Sequence, residues 1–179
     1  NLLNHKDSLQ TKIKTLKGSE ILLVEDNEIN QEIIIELLKD SGIKIDLAMD
    51  GLEAIKKAEN KKYELILMDI QMPLMDGYEA TRIIRKQLKI TTPIVAMTAN
   101  VMAQDIEKCM QAGMNFHVGK PFEVEDFYGT LLEALHVSLT SAKKNNTQKI
   151  VLRFDKNEAV RKLGGNEVLW EKTFCGFYE

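Results

Sequence analysis

The sequence predicts an α/β fold, a doubly wound five-stranded parallel sheet with helices on both faces. Three observations lead there. Short uninterrupted apolar runs recur through the middle of the chain, a stretch with helical spacing follows each of them, and most of the runs stop at a polar residue. A strand buried on both faces loses the in–out alternation and reads as continuous Val, Ile and Leu, as in a parallel sheet. Strands alternating with helices are joined by right-handed crossovers.

Taken in order, Ile21-Leu22-Leu23-Val24 is the first strand, ended by Glu25-Asp26. Asn27 is a good helix N-cap, and Ile29, Ile33, Leu37 with the interleaved Ile34 and Leu38 give a helical stripe that stops at Gly42. Ile43 to Ala48 is the second strand, and Leu52, Ile55 and Ala58 mark a short helix after Gly51. Leu65-Ile66-Leu67-Met68 is the third strand, ended by Asp69, and Tyr78 to Leu88 is helical. Ile94-Val95-Ala96-Met97 is the fourth strand, ended by Thr98, and Met102 to Ala112 is helical. Phe116 to Val118 is a short fifth strand before Lys120-Pro121, and Val124, Phe127, Leu131 and Leu135 form the last clear stripe.

Flanking this region, residues 1–18 are polar and lysine-bearing, with Leu2, Leu9, Ile13 and Leu16 loosely spaced. They read as a linker or the end of an upstream helix. Residues 139–149 have no core-forming cluster and read as a second linker, after which apolar residues return from Ile150 to the end. The start has neither an initiator Met nor an apolar signal core and reads as a cut fragment.

Composition narrows the function classes. The 179 residues are 44% hydrophobic and 28% charged, the balance of a globular protein. With 24 basic and 27 acidic residues the formal charge is -3, against the basic stripe that nucleic-acid binding starts from. No apolar run reaches the roughly 18–20 residues of a membrane span. Cys109 and Cys175 lack any CxxC spacing, so a zinc knuckle and a disulfide framework are both excluded and a reduced, cytoplasmic setting is expected.

The polar residues that end the strands carry the chemistry. In an open α/β sheet, sites form outside the carboxyl ends of the strands, where strand order switches. Glu25, Asp26, Asp69, Thr98 and Lys120 all fall there and converge if the sheet forms as read. Three carboxylates together repel and call for a cation, and an all-oxygen site suits Mg²⁺. Carboxylates, Mg²⁺, a hydroxyl and an ammonium make a phosphoryl-transfer site with Asp69 as the nucleophile. Taken singly, each residue has an ordinary reading: a solvated loop for Glu25-Asp26, turn chemistry for Asp69, a helix cap for Thr98, a surface lysine for Lys120. Met68, Met72, Met75 and Met97 read as core filling.

The stretches Ile21–Asn27, Met68–Gly77, Pro93–Asn100 and Gly113–Phe122 together resemble the receiver domain of two-component response regulators. The wording is closest to receivers attached to hybrid sensor histidine kinases, and it covers residues 19–138. The resemblance implies a flavodoxin-like fold with strand order 2-1-3-4-5. It implies that Asp69 accepts a phosphoryl group from a phosphohistidine on a partner. Asp26 and Asp69 would ligate Mg²⁺ directly, Glu25 through water, and the Gln71 backbone carbonyl would complete the protein ligands. Thr98 and Lys120 would contact phosphate oxygens, and the Lys120–Pro121 peptide would be cis. His117 stands where the family's switch aromatic is expected. Gln71 is placed to influence an attacking water.

Implied partners are the phosphohistidine donor domain of a histidine kinase and a histidine phosphotransfer domain as acceptor. The face of the last two helices and fifth strand is the candidate for remodelling on phosphorylation and for a homodimer. The kinase domain, and any anchor in the inner membrane, would lie upstream. Residues 154–166 resemble the opening of a histidine phosphotransfer domain, so 150–179 is expected to be a helical extension lacking the functional histidine. Two other readings are a pseudo-receiver that serves only as an interaction domain, and a phosphohydrolase of the haloacid-dehalogenase type. The latter expects an Asp where Gln71 stands.

Overall fold

The computed structural model describes residues 11, 13–99 and 102–143. The expected extension at 150–179, with its resemblance to a phosphotransfer domain, lies outside the described residues.

Five parallel strands form one sheet: β1 Glu20–Val24, β2 Lys44–Ala48, β3 Leu65–Asp69, β4 Ile94–Thr98 and β5 Phe116–Gly119. Their order is β2-β1-β3-β4-β5, as expected. The helices are α1 Glu28–Leu38, α2 Gly51–Asn60, α3 Gly77–Lys86, α4 Ala103–Ala112 and α5 Val124–Lys143. The side-chain period of two divides the strand residues between two cores. Ile21, Leu23, Leu65 and Leu67 pack with Ile34, Leu38, Phe127 and Leu131 of α1 and α5. Leu22, Val24, Ile66 and Met68 pack with Ala54, Ala80, Ile84 and Cys109 of α2, α3 and α4. This double burial is why the strands lack alternation.

The register is the link to function. Val24 pairs with both Ala48 and Met68, Asp69 with Met97, and Thr98 with Gly119. The residues that end or follow β1, β3, β4 and β5 therefore share one edge of the sheet.

Three features differ from the sequence reading. Only part of the α1 stripe is core: Gln31, Ile34 and Leu38 are buried, whereas Ile29 and Ile33 are exposed. The apolar residues of α1 cover more than one helical face, and the polar Gln31 falls on the inward side. The boundary at residue 19 also moves, because Ile13 and Leu16 are buried in the α1/α5 core beside a 3₁₀ turn at Lys14–Leu16. Gly18 N–H donates to Gly42 O at 2.9 Å and Lys44 N–H to Ser19 O at 2.8 Å, which ties this segment to the start of β2. Gly42 itself sits at φ +73°, in the left-handed region that glycine enters freely. Finally, α5 runs to Lys143, beyond the expected linker start at 139. Leu-Thr-Ser-Ala-Lys holds no Gly or Pro, and extending an existing helix needs no new nucleus.

At the β2 edge, Lys44 lies 3.4 Å from Glu20, and Lys61 lies 3.1 Å from Glu20 and 3.0 Å from Asp46. The Tyr63 hydroxyl donates to Asp46 at 2.8 Å. That bond and Lys61 hold Asp46 below the usual carboxylate range, while burial and Asp46 push the Tyr63 hydroxyl up to about 12. No helix among the described residues is long and apolar enough to cross a membrane.

Ile13→Ala tests whether the segment before β1 belongs to the core. A loss of about 2–4 kcal/mol in denaturant unfolding is expected, as for a buried aliphatic truncation.

Candidate functional site

Glu25 and Asp26 follow directly from β1. Glu25 is fully buried and held at both ends. Its N–H donates to Ala48 O at 3.0 Å, and its carbonyl accepts from Gln31 Nε2 at 2.6 Å. Its carboxylate Oε1 accepts from Asn30 Nδ2 at 2.9 Å, with the Asn27 amide at 3.4 Å. Asn27 caps α1 as expected, its Oδ1 accepting from the N–H groups of Ile29 and Asn30. Three residues, Glu25 to Asn27, therefore turn the chain from strand to helix, and the first helical turn faces Glu25 with amide donors.

Asp69 is the last residue of β3 and is 5% exposed. Its Oδ1 accepts from the Gln71 N–H at 3.2 Å. Lys120 follows β5, anchored by its own N–H donating to Thr98 O at 2.7 Å. The Lys120–Pro121 peptide is cis. The lysine Nζ lies 2.6 Å from Glu25 Oε2 and 2.8 Å from Asp69 Oδ2, bridging the two carboxylates. Carboxylate oxygens of Glu25, Asp26 and Asp69 lie within 4.8 Å of one another. Three carboxylates against one ammonium leave a formal −2 when all are ionised. An all-oxygen cluster of that charge fits a hard divalent cation.

Burial, above all, raises the Asp69 carboxyl above its ordinary value; Glu25 adds to this, and Lys120 and the Gln71 amide oppose it. A carboxyl that ionises less readily folded than unfolded costs stability as the pH rises above its ordinary range near 4, and the cost grows until the pH passes its raised folded-state value.

The other sequence-derived residues are placed less centrally. Thr98 is buried at the end of β4, beside Gly119 of β5. The Gln71 backbone N–H donates a hydrogen bond to Asp69, and Gln71 is otherwise exposed. His117 lies within β5, half-buried between Phe116 and Val118 and opposite Ala96. The carboxylate cluster includes no histidine among the described residues.

The loop after Asp69 has its own constraint. A Cβ on Gly77 would sit 2.1 Å from Asp69 O, so the start of α3 approaches the Asp69 backbone more closely than any side chain permits. Gly77 N–H donates to Ile70 O at 3.0 Å, closing the loop. Leu74 within it takes φ +67° and is exposed. Asn30 and Gln31 are the site neighbours that sequence reasoning missed. The available signal was Gln31, a polar residue on the inward face of α1.

Residues 21–132 match the response regulator receiver domain. The chain belongs to that family. Among curated relatives, this receiver is 44% identical over 122 residues to hybrid signal transduction histidine kinase G of Dictyostelium discoideum, covering 66% of the chain and 4% of that kinase. It is 41% identical over 132 residues to an osmosensing histidine protein kinase of Saccharomyces cerevisiae, covering 70% of the chain and 11% of that protein. The chain thus spans a small fraction of the kinases it matches. A solved receiver domain of a sensor histidine kinase from Pseudomonas aeruginosa PAO1, described with a magnesium ion coordinated in its active site cleft, has a TM-score of 0.61 at 43% identity. That likeness covers 66% of this chain and 98% of the solved one. Family membership sets aside the phosphohydrolase reading.

Two substitutions test this geometry. Gly77→Ala is expected to destabilise the receiver by about 1–3 kcal/mol in denaturant unfolding, because the start of α3 must move off the Asp69 backbone. Asp69→Asn removes one buried negative charge. Without divalent cations it is expected to melt above the wild type at pH 7, and to lose part of the wild type's decline in stability above about pH 4, in thermal unfolding followed across pH.

Proposed function

We propose that this receiver takes a phosphoryl group from a phosphohistidine onto Asp69, with Mg²⁺ bound by Asp26 and Asp69 directly and by Glu25 through water, and with the Gln71 carbonyl completing the protein ligands. The observation that carries the reading is the Lys120 ammonium bridging Glu25 and Asp69 inside the carboxylate cluster. A carboxylate oxygen of Asp69 attacks phosphorus, the N–P bond of the donor breaks, and the imidazole leaves with the electron pair and takes up a proton. Bound Mg²⁺ would neutralise the charge on the phosphoryl oxygens. Lys120, already on Asp69, follows the charge outward onto the new phosphoryl group, and Thr98 supplies a hydroxyl from the end of β4. Positioning and charge neutralisation supply most of the rate in such a transfer.

The donor and the acceptor are read as histidine-bearing protein domains: the donor domain of a hybrid histidine kinase and a histidine phosphotransfer domain. Five of the seven large exposed apolar side chains among the described residues, Ile29, Met49, Leu52, Leu74 and Met102, lie on the loops and helix starts that follow the strands. An apolar collar around an acidic cleft suits docking of a protein surface better than capture of a small ion alone. The same reading puts the receiver on the cytoplasmic side of its parent kinase. Phosphorylation would shift the population of the α4–β5–α5 face through Thr98.

Intact-protein mass after incubation with acetyl phosphate, with and without Mg²⁺, tests the proposal. A single Mg²⁺-dependent phosphoryl adduct that Asp69→Asn abolishes is expected. No adduct from a folded chain that binds Mg²⁺ would overturn it in favour of a pseudo-receiver.

A further inference from the structure

We infer that Asn30 is a positioning residue for the acidic cluster: its amide, on the Glu25 oxygen that Lys120 does not touch, keeps that carboxylate aimed at the cation. The inference rests on the Mg²⁺ reading above. Glu25 has one torsion more than the Asp beside it and is fully buried, so no bulk water fixes its head. Its two oxygens have different partners: Oε2 lies 2.6 Å from Lys120 Nζ, and Oε1 accepts from Asn30 Nδ2 at 2.9 Å. The lysine is shared with Asp69 Oδ2 at 2.8 Å, so charge developing beyond Asp69 draws it away from Glu25. The backbone of Glu25 is fixed separately, by Ala48 O and by Gln31 Nε2. Asn30 is then the one side-chain amide on the carboxylate itself among the described hydrogen bonds, half-buried on the first turn of α1. Groups that orient a metal's ligands set its affinity without touching it.

Titration of the ¹⁵N-labelled chain with MgCl₂ alone, followed by amide shifts, measures the dissociation constant, and melting temperature without Mg²⁺ reports folding. Asn30→Leu is expected to weaken Mg²⁺ binding about tenfold, the lower end for losing such a group. Asn30→Gln, which keeps the amide donor, should recover part of that loss, and the melting temperatures without Mg²⁺ show that both variants are folded at the temperature of the titration. Asn30→Ala serves where the leucine fails to fold. A change of less than about twofold in the folded variants would overturn the assignment, as would Gln binding no better than Leu. A wild-type chain whose amides do not respond to MgCl₂ would instead sink the metal reading, and this inference with it.

Discussion

Lys120 stands between two buried carboxylates that would otherwise face each other in a medium that screens charge poorly. Removing one partner from such a group leaves an uncompensated buried charge. The rest of the edge is arranged around that fact. The sheet register brings the ends of β1, β3 and β5 together, the lysine's own backbone is tied to β4 through Thr98, and the cores above and below keep the strands from sliding. The cluster is still short of positive charge, a deficit that a divalent cation would fill. Burial above all, with Glu25 adding to it, raises the Asp69 carboxyl at the centre of this cluster.

Rigidity at this edge comes from the helix starts. Asn27, Asp50 and Asp76 each cap the helix that follows, accepting from N–H groups of its first turn. The loops after β1, β2 and β3 are thereby fixed where the carboxylates sit. Met102, at the start of α4, makes no side-chain capping bond. The acidic side of the site is built on pinned turns, and the Thr98 side is not built that way.

The strands were legible because double burial writes itself as continuous apolar runs, and the convergence of Glu25, Asp69 and Lys120 followed from topology. What the sequence concealed has physical reasons too. Ile29 and Ile33 look like core residues on α1, but six apolar side chains on one short helix exceed a single face, and period alone does not say which face turns inward. Ile13 and Leu16 sit among lysines, and their burial depends on contacts with α1 and α5 that are distant in sequence. Asn30 near a helix start reads as capping chemistry, so its bond to Glu25 emerges only when strand and helix are placed together.

The charged β2 edge bears on more than local pairing. Exposed pairs such as Lys44 with Glu20 contribute little to folding free energy. Their value lies in what they deny to a neighbouring molecule. An open edge strand offers unpaired N–H and C=O groups to any extended chain that approaches, and a strand added there would have to bury or displace Lys44, Lys61 and Asp46. The charges thus guard the β2 side of the sheet against a further strand, in a fold whose strands are otherwise as apolar as an aggregating segment.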